Sequence, residues 1–249
     1  MEKQAEFKFP SEEIELPSRG LLYQEGSPLS SGRIELKYMT AREEDILTNI
    51  NYIEKGTVID RLVESLVLDK SIKIEDLLLG DKNAILVAAR IMGYGKEYEF
   101  EYRGEKHTVD LTTLSMNYLD ETGVTKGINE FEFLLPNTKI PITFRLLTHG
   151  DERKIDEEIK QIKKFKKDAS PDLSTRLKYV ITSVKGERDP GFISRFVDDA
   201  LLARDSRELR KHIQEIQPDI NLKFFPEDGP EGGVDIPIGV SFFWPDAGV

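Results

Sequence analysis

The chain has 249 residues, 39% of them hydrophobic and 33% charged, enough to bury a real core as one large domain or two small ones. A formal net charge of −11 and a pI near 5.0 count against a nucleic-acid binder, which presents a basic face or stripe. With no cysteine, disulfides, thiolate zinc sites, iron–sulfur clusters and cysteine nucleophiles are excluded together, which suits a cytoplasmic protein.

No apolar run approaches the ~18 residues of a membrane span, and the N-terminus lacks the apolar stretch of a secretory signal. The first elements are strand-like. In "RIELKYM", Ile34, Leu36 and Tyr38 share one face at period two, while Glu35 and Lys37 take the other. "QEGSPLSSG" before it reads as an exposed loop. The period then changes. Thr40 and Glu43 form a capping-box pattern opening a helix, and a second helix runs through "TVIDRLVESLVLD". A third, starting after Asp81, is apolar almost all round from Ala84 to Met92, which predicts a central position, and Gly93 and Gly95 end it.

From Lys96 to Leu147 the pattern is β-rich. One hairpin turns at Arg103-Gly104 and a second at Pro136-Asn137. Helices return with Ile155, Ile159, Ile162 and Phe165 on one stripe. Asp189-Pro190 starts a further helix, and Asp205 with Glu208 predicts another capping box. The expected architecture is α+β: mainly helical N- and C-terminal parts around β-hairpins, with an extended C-terminal strand, divided as 1–95, 96–147 and 148–249.

The catalytic inventory is thin. His107, His149 and His212 have no ligand-like spacing, and no nucleophile is tied to any of them. "MGYGKEYEF" has a G-x-G, but it follows a helix and precedes a strand, the reverse of a dinucleotide site. "LLGDKNAI" could seat an anion at a helix start, yet reads better as an ordinary cap. Neither a metal nor an organic cofactor is expected. The residues describe an interaction protein before an enzyme.

The ending, "DIPIGVSFFWPDAGV", is the unusual stretch. Alternation places Ile236, Ile238, Val240, Phe242 and Trp244 on one face, with Phe243 on the other. Pro237 restricts such a strand to an edge or an extended arm. Two readings stay open: a terminal strand docked on the chain's own core, or an anchor in which Phe242, Phe243, Trp244 and Pro245 meet a partner.

"LPSRGLLYQEGSPLSSGRIELKYMTAREEDILTN" strongly resembles the opening of the baseplate hub assembly proteins of T-even-type contractile-tailed bacteriophages and their cyanophage relatives. "GDKNAILVAARIMGYGKEYEF", "FRLLTHGDERKID", "IQPDINL" and "IPIGVSFFWPDA" fit the same family. The resemblance implies a late morphogenesis protein made in the host cytoplasm, an assembly factor (chaperone) or minor structural subunit, with the virion baseplate as a second location and no enzymatic activity. It implies hub proteins as partners, with a second copy of the chain as another candidate; the lack of an apolar span speaks against a membrane partner, and the acidic composition against nucleic acid. The motif positions it carries over are Pro17, Gly20 and Tyr23 in the opening turn, Glu43 and Glu44 at the first helix, and Phe243, Trp244 and Pro245 at the end. Some members carry cysteine pairs, like zinc ribbons, near the hairpins and before the final strand. This chain has "EYRGEKHTVDL" and "FFPEDGPEGGVDIPIG" there, so its ribbons are expected to hold by strand pairing alone. Alternatives from other classes are a carboxylate-based cell-wall hydrolase and a nucleic-acid module using the lysine face of residues 160–167.

Overall fold

The structure, a computed structural model, describes residues 10–165, 171–226, 230 and 232–243. Its elements are β1 (Ser11–Glu15), β2 (Arg33–Lys37), α1 (Ala41–Leu47), α2 (Ile50–Glu54), α3 (Val58–Leu66) and α4 (Leu79–Tyr94). Then come β3 (Glu97–Tyr102), β4 (Glu105–Asp110), β5 (Met116–Asn117), β6 (Phe131–Leu134), β7 (Pro141–Phe144) and α5 (His149–Phe165). The remainder is α6 (Asp172–Val180), β8 (Ile181–Val184), α7 (Pro190–Arg195), α8 (Ala203–Ile216), β9 (Asp219–Ile220), β10 (Lys223–Phe224), β11 (Val234–Asp235) and α9 (Val240–Phe243). The class is α+β. Every sheet is small and antiparallel, the largest being β6-β7-β8.

Local chemistry explains most boundaries. Thr40 and Glu43 make the capping box of α1, with Thr40 N–H donating to Glu43 Oε2 at 2.9 Å. Asp189 accepts from Phe192 N–H at 2.8 Å, and Pro190 sits at the first helical position of α7. Between β3 and β4, Arg103 (φ 54) and Gly104 (φ 80) form the two-residue turn that matches strand twist. Asp205 departs from expectation. α8 begins at Ala203, so Asp205 lies inside the first turn and its carboxylate serves the β6–β7 loop instead of capping.

The stretch "QEGSPLSSG" is largely exposed, as expected of a loop, but it is locally ordered. Pro28–Ser31 form a 3-10 turn capped by Ser27, Leu29 is buried, and the segment folds back on the opening turn. Gly20 has φ +74, and a Cβ there would stand 2.5 Å from Gly32 N, so this contact demands glycine twice over.

One continuous hydrophobic core draws residues from all three stretches of the chain, including Leu16, Ile85, Phe144, Leu209 and Phe242. The hairpins do not hold by strand pairing alone. Phe100 of β3 meets Phe224 of β10 edge-on at 5.3 Å, and His107 of β4 lies 5.1 Å from the same ring. An aromatic cluster thus packs the β3–β4 hairpin against the β10–β11 ribbon.

The C-terminal stretch also differs from the alternation. Extended chain reaches Asp235, and Ile236 N–H donates to Leu222 O at 2.8 Å. Val240–Phe243 then coil into one helical turn. Successive side chains on a strand point 180° apart, whereas on a helix they diverge by about 100°, so two neighbours can both face inward. Phe242 and Phe243 do so, and both are fully buried.

Candidate functional site

The tetrapeptide Gly80-Asp81-Lys82-Asn83 sits at the start of α4 inside an otherwise apolar run. A polar side chain in such a place must find partners or lose several kcal/mol of hydration. Each of the four reaches a different part of the chain. A Cβ on Gly80 would be 1.9 Å from Pro218 O, so only glycine lets β9 pass. Asp81 Oδ1 accepts from Ser18 N–H at 2.9 Å, and its Oδ2 accepts from Ser18 Oγ and Tyr23 Oη, both at 2.6 Å. Tyr23 Oη in turn accepts from Leu78 N–H at 2.9 Å. Lys82 Nζ lies 2.9 Å from Asp60 Oδ1 and 3.0 Å from His149 Nδ1. Asn83 Nδ2 donates to Asp219 Oδ1 at 3.0 Å.

Two turns further on, Arg90 is 2% exposed and donates to three backbone carbonyls. They belong to Phe242 (2.8 Å), Gly95 (3.0 Å) and Glu97 (3.1 Å). The guanidinium therefore closes the C-terminal end of α4, where positive charge is favoured, and ties α9 onto it. Tyr94 and Tyr98 place their rings 5.3 Å and 5.8 Å from it. Burial pushes the pKa of this cation down from its ordinary value.

Electrostatically, this junction is closed on itself. Burial pushes the Asp81 carboxyl up, against the pull of the Ser18 and Tyr23 hydrogen bonds. At Asp60 burial also pushes up, yet hydrogen bonds from His149 and Lys82 win and hold it at about 2. His149 Nε2 is 2.8 Å from Asp60 Oδ1, so a proton on Nε2 leaves Nδ1 to accept from Lys82. The three groups border a hollow of about 510 Å3, but their strongest contacts are with each other.

The residues carried over from the motifs lie mostly inside. Pro17, Gly20, Tyr23, Glu43, Phe242 and Phe243 are buried, and Glu44 is half-buried. Glu43 binds Lys37 and Ser65 at 2.6 Å each besides Thr40, and these bonds overcome burial to bring it to about 2. A partner cannot touch such side chains without opening the fold, so they shape the surface from beneath. Of the two readings of Phe242 and Phe243, the structure selects core. Trp244 and Pro245 lie outside the described residues.

A hydrolase needs one carboxyl held up as an acid beside a second that stays ionised. An acidic cleft of about 670 Å3 does exist, lined by Asp120, Glu130, Glu132, Glu215 and His212. Arg188 grips Glu130 with two bonds of 2.8 Å and brings it to about 2. Asp120 is lowered by the Thr122 backbone N–H. His212 is stacked on Phe133 at 4.9 Å. Of the described carboxyls, those whose net shift is upward, driven by burial, are Asp81 and Asp219, and neither borders this cleft. Among the described residues, no group of three or more His, Cys, Asp or Glu side chains is placed to hold a metal ion, and no helix is long and apolar enough to cross a membrane. No protein-family model, curated protein or solved structure matches the chain.

Proposed function

We propose that this chain is an assembly factor or minor structural subunit of the baseplate hub of a T-even-type contractile-tailed bacteriophage, acting through protein–protein contacts. One observation carries the reading. The five stretches on which the resemblance rests are scattered from Leu16 to Ala247, and the four outside α4 all make direct contact with α4 or the residues leading into it. Ser18 and Tyr23 bind Asp81, Leu147 O accepts from Leu79 N–H at 3.3 Å, Pro218 passes over Gly80, and Phe242 O accepts from Arg90. The shared motifs are thus the frame of a fold, the pattern expected when relatives keep a shape for docking and not a reaction centre. The carboxylates shifted in the acidic cleft move down, opposite to what a general acid requires, which favours docking over hydrolysis.

The acidic surface keeps such a protein soluble in the host cytoplasm and steers it to basic faces of its partners. Disruption of the gene is expected to abolish hub-containing baseplates, scored by electron microscopy of infected-cell lysates. A normal particle yield would overturn the reading. Mass spectrometry of purified virions separates a transient factor from a resident subunit.

A further inference from the structure

Two hollows adjoin along α8. The first is an almost wholly apolar slot of about 120 Å3, walled by Leu79, Leu147, Leu173, Leu177 and Val180. An engineered apolar cavity of about 150 Å3 accepts a benzene ring, so this slot suits one aliphatic side chain. It opens at Leu173, which is 46% exposed. The second is a longer groove of about 780 Å3, floored by Met116, Ile236 and Ile238 and edged by the carboxamides of Asn117, Gln214 and Asn221. Asp219, Lys223 and Asp235 are also in its lining, away from the apolar slot's own walls. A carboxamide offers one acceptor and a pair of donor hydrogens, the complement of a peptide bond. Arg210, Ile213 and Gln217 line both hollows, which makes them continuous.

Arg210 stands at the junction and differs from its neighbours. Arg145 Nη2 binds Asp151 at 2.8 Å, and Arg176 Nη2 binds Glu152 at 2.9 Å. Arg210 donates only through Nε, to Ser206 O at 3.3 Å, and its guanidinium meets no carboxylate among the described residues. On a chain with a net charge of −11, an arginine left without an acid between an apolar slot and an amide-edged groove has open donors for a carboxylate. Its terminal nitrogens form the planar fork that binds one bidentately.

The geometry points to a docking site for an extended peptide segment of a partner protein, one that places an aliphatic side chain in the slot, a carboxylate on Arg210 and its backbone along the amide-edged groove. This deepens the assembly reading by naming the chemistry of the partner's segment. It rests on that reading only for who the partner is.

A random-peptide display library panned on the immobilised full chain tests it. Enrichment of sequences pairing Leu, Ile or Met with a nearby Asp or Glu is expected. A synthetic peptide of the enriched sequence should bind at least tenfold more weakly to Arg210→Glu and to Leu173→Asp, both exposed positions whose folding is checked by circular dichroism. Panning on Arg210→Glu should replace the acid by Lys or Arg. An unenriched pool, a consensus without the acid, or unchanged affinity in the two folded variants overturns the site. No phage component takes part, so failure here leaves the assembly reading standing, and a normal particle yield after gene disruption leaves the site standing.

Discussion

The starts of α4 and α8 each bury an aspartate completely, and the two carboxylates move in opposite directions. Asp81 meets three donors, two of them hydroxyls, and burial prevails so that its proton is held more tightly. Asp205 meets four: the backbone N–H groups of Asn137 and Thr138 at 2.8 and 3.0 Å, and both of their side chains at 2.8 Å. There the hydrogen bonds overcome burial and the proton is released more readily. The sign follows from depth and donors together: Asp81 lies deep in the core, whereas Asp205 lies just beneath the surface loop that covers it, and four donors converge on it against three.

This contrast is broken most directly by removing the acid. Asp205→Ala strands two backbone N–H groups that cannot rotate away, so a loss of about 3–5 kcal/mol in urea unfolding is expected. Asp81→Ala should cost less, about 1–3 kcal/mol at neutral pH: it strands one backbone N–H, that of Ser18, where Asp205→Ala strands two, the Ser18 and Tyr23 hydroxyls can turn to other acceptors, and an unfavourable buried charge is removed. Equal losses at the two sites would dissolve the distinction.

The smaller effect lies in pH dependence, where the two variants should slope in opposite senses. The Asp205 contribution is present above the ordinary carboxylate value of 3.8 and is lost as pH falls through its depressed folded value. The cost of Asp205→Ala should therefore shrink on acidification. Asp81 keeps its proton in the fold where the unfolded chain has lost it, so its contribution is present below 3.8 and is lost as pH rises through the raised folded value. The cost of Asp81→Ala should therefore grow on acidification. Chemical denaturation at a series of pH values checks both, and parallel slopes would remove the electrostatic account.

Much of the fold was legible because its signals are local. The Arg103-Gly104 turn, the Thr40–Glu43 box and the Asp189-Pro190 start each need only four or so neighbouring residues, and each stands where the pattern places it. What Glu43 does beyond its cap depends on Ser65, 22 residues away, and no local pattern carries that. The ending misled for a different reason: alternation implies a strand only if a ladder partner continues, and beyond Ile236 the chain turns helical, with Phe242 N–H donating to Gly239 O at 3.1 Å. The junction at Gly80–Asn83 left one readable trace, four polar or small residues interrupting a run that is otherwise apolar all round. The Arg210 groove left none, since its walls come from α4, α6, α8 and the β-ribbons, and meet only after folding.

The clasp between Arg90 and Phe242 O joins positions 152 residues apart, and this sets an order of events during synthesis. A ribosome adding about 5–20 residues per second leaves the finished α4 helix waiting on the order of ten seconds for the carbonyl that satisfies its innermost cation. In that interval the nascent N-terminal half exposes the apolar flank that α9 later covers, and Arg90 holds the Gly95 and Glu97 carbonyls while its Nε still lacks one. Ribosomal stalling ahead of Phe242 should therefore leave a soft, protease-sensitive intermediate instead of a finished half-molecule.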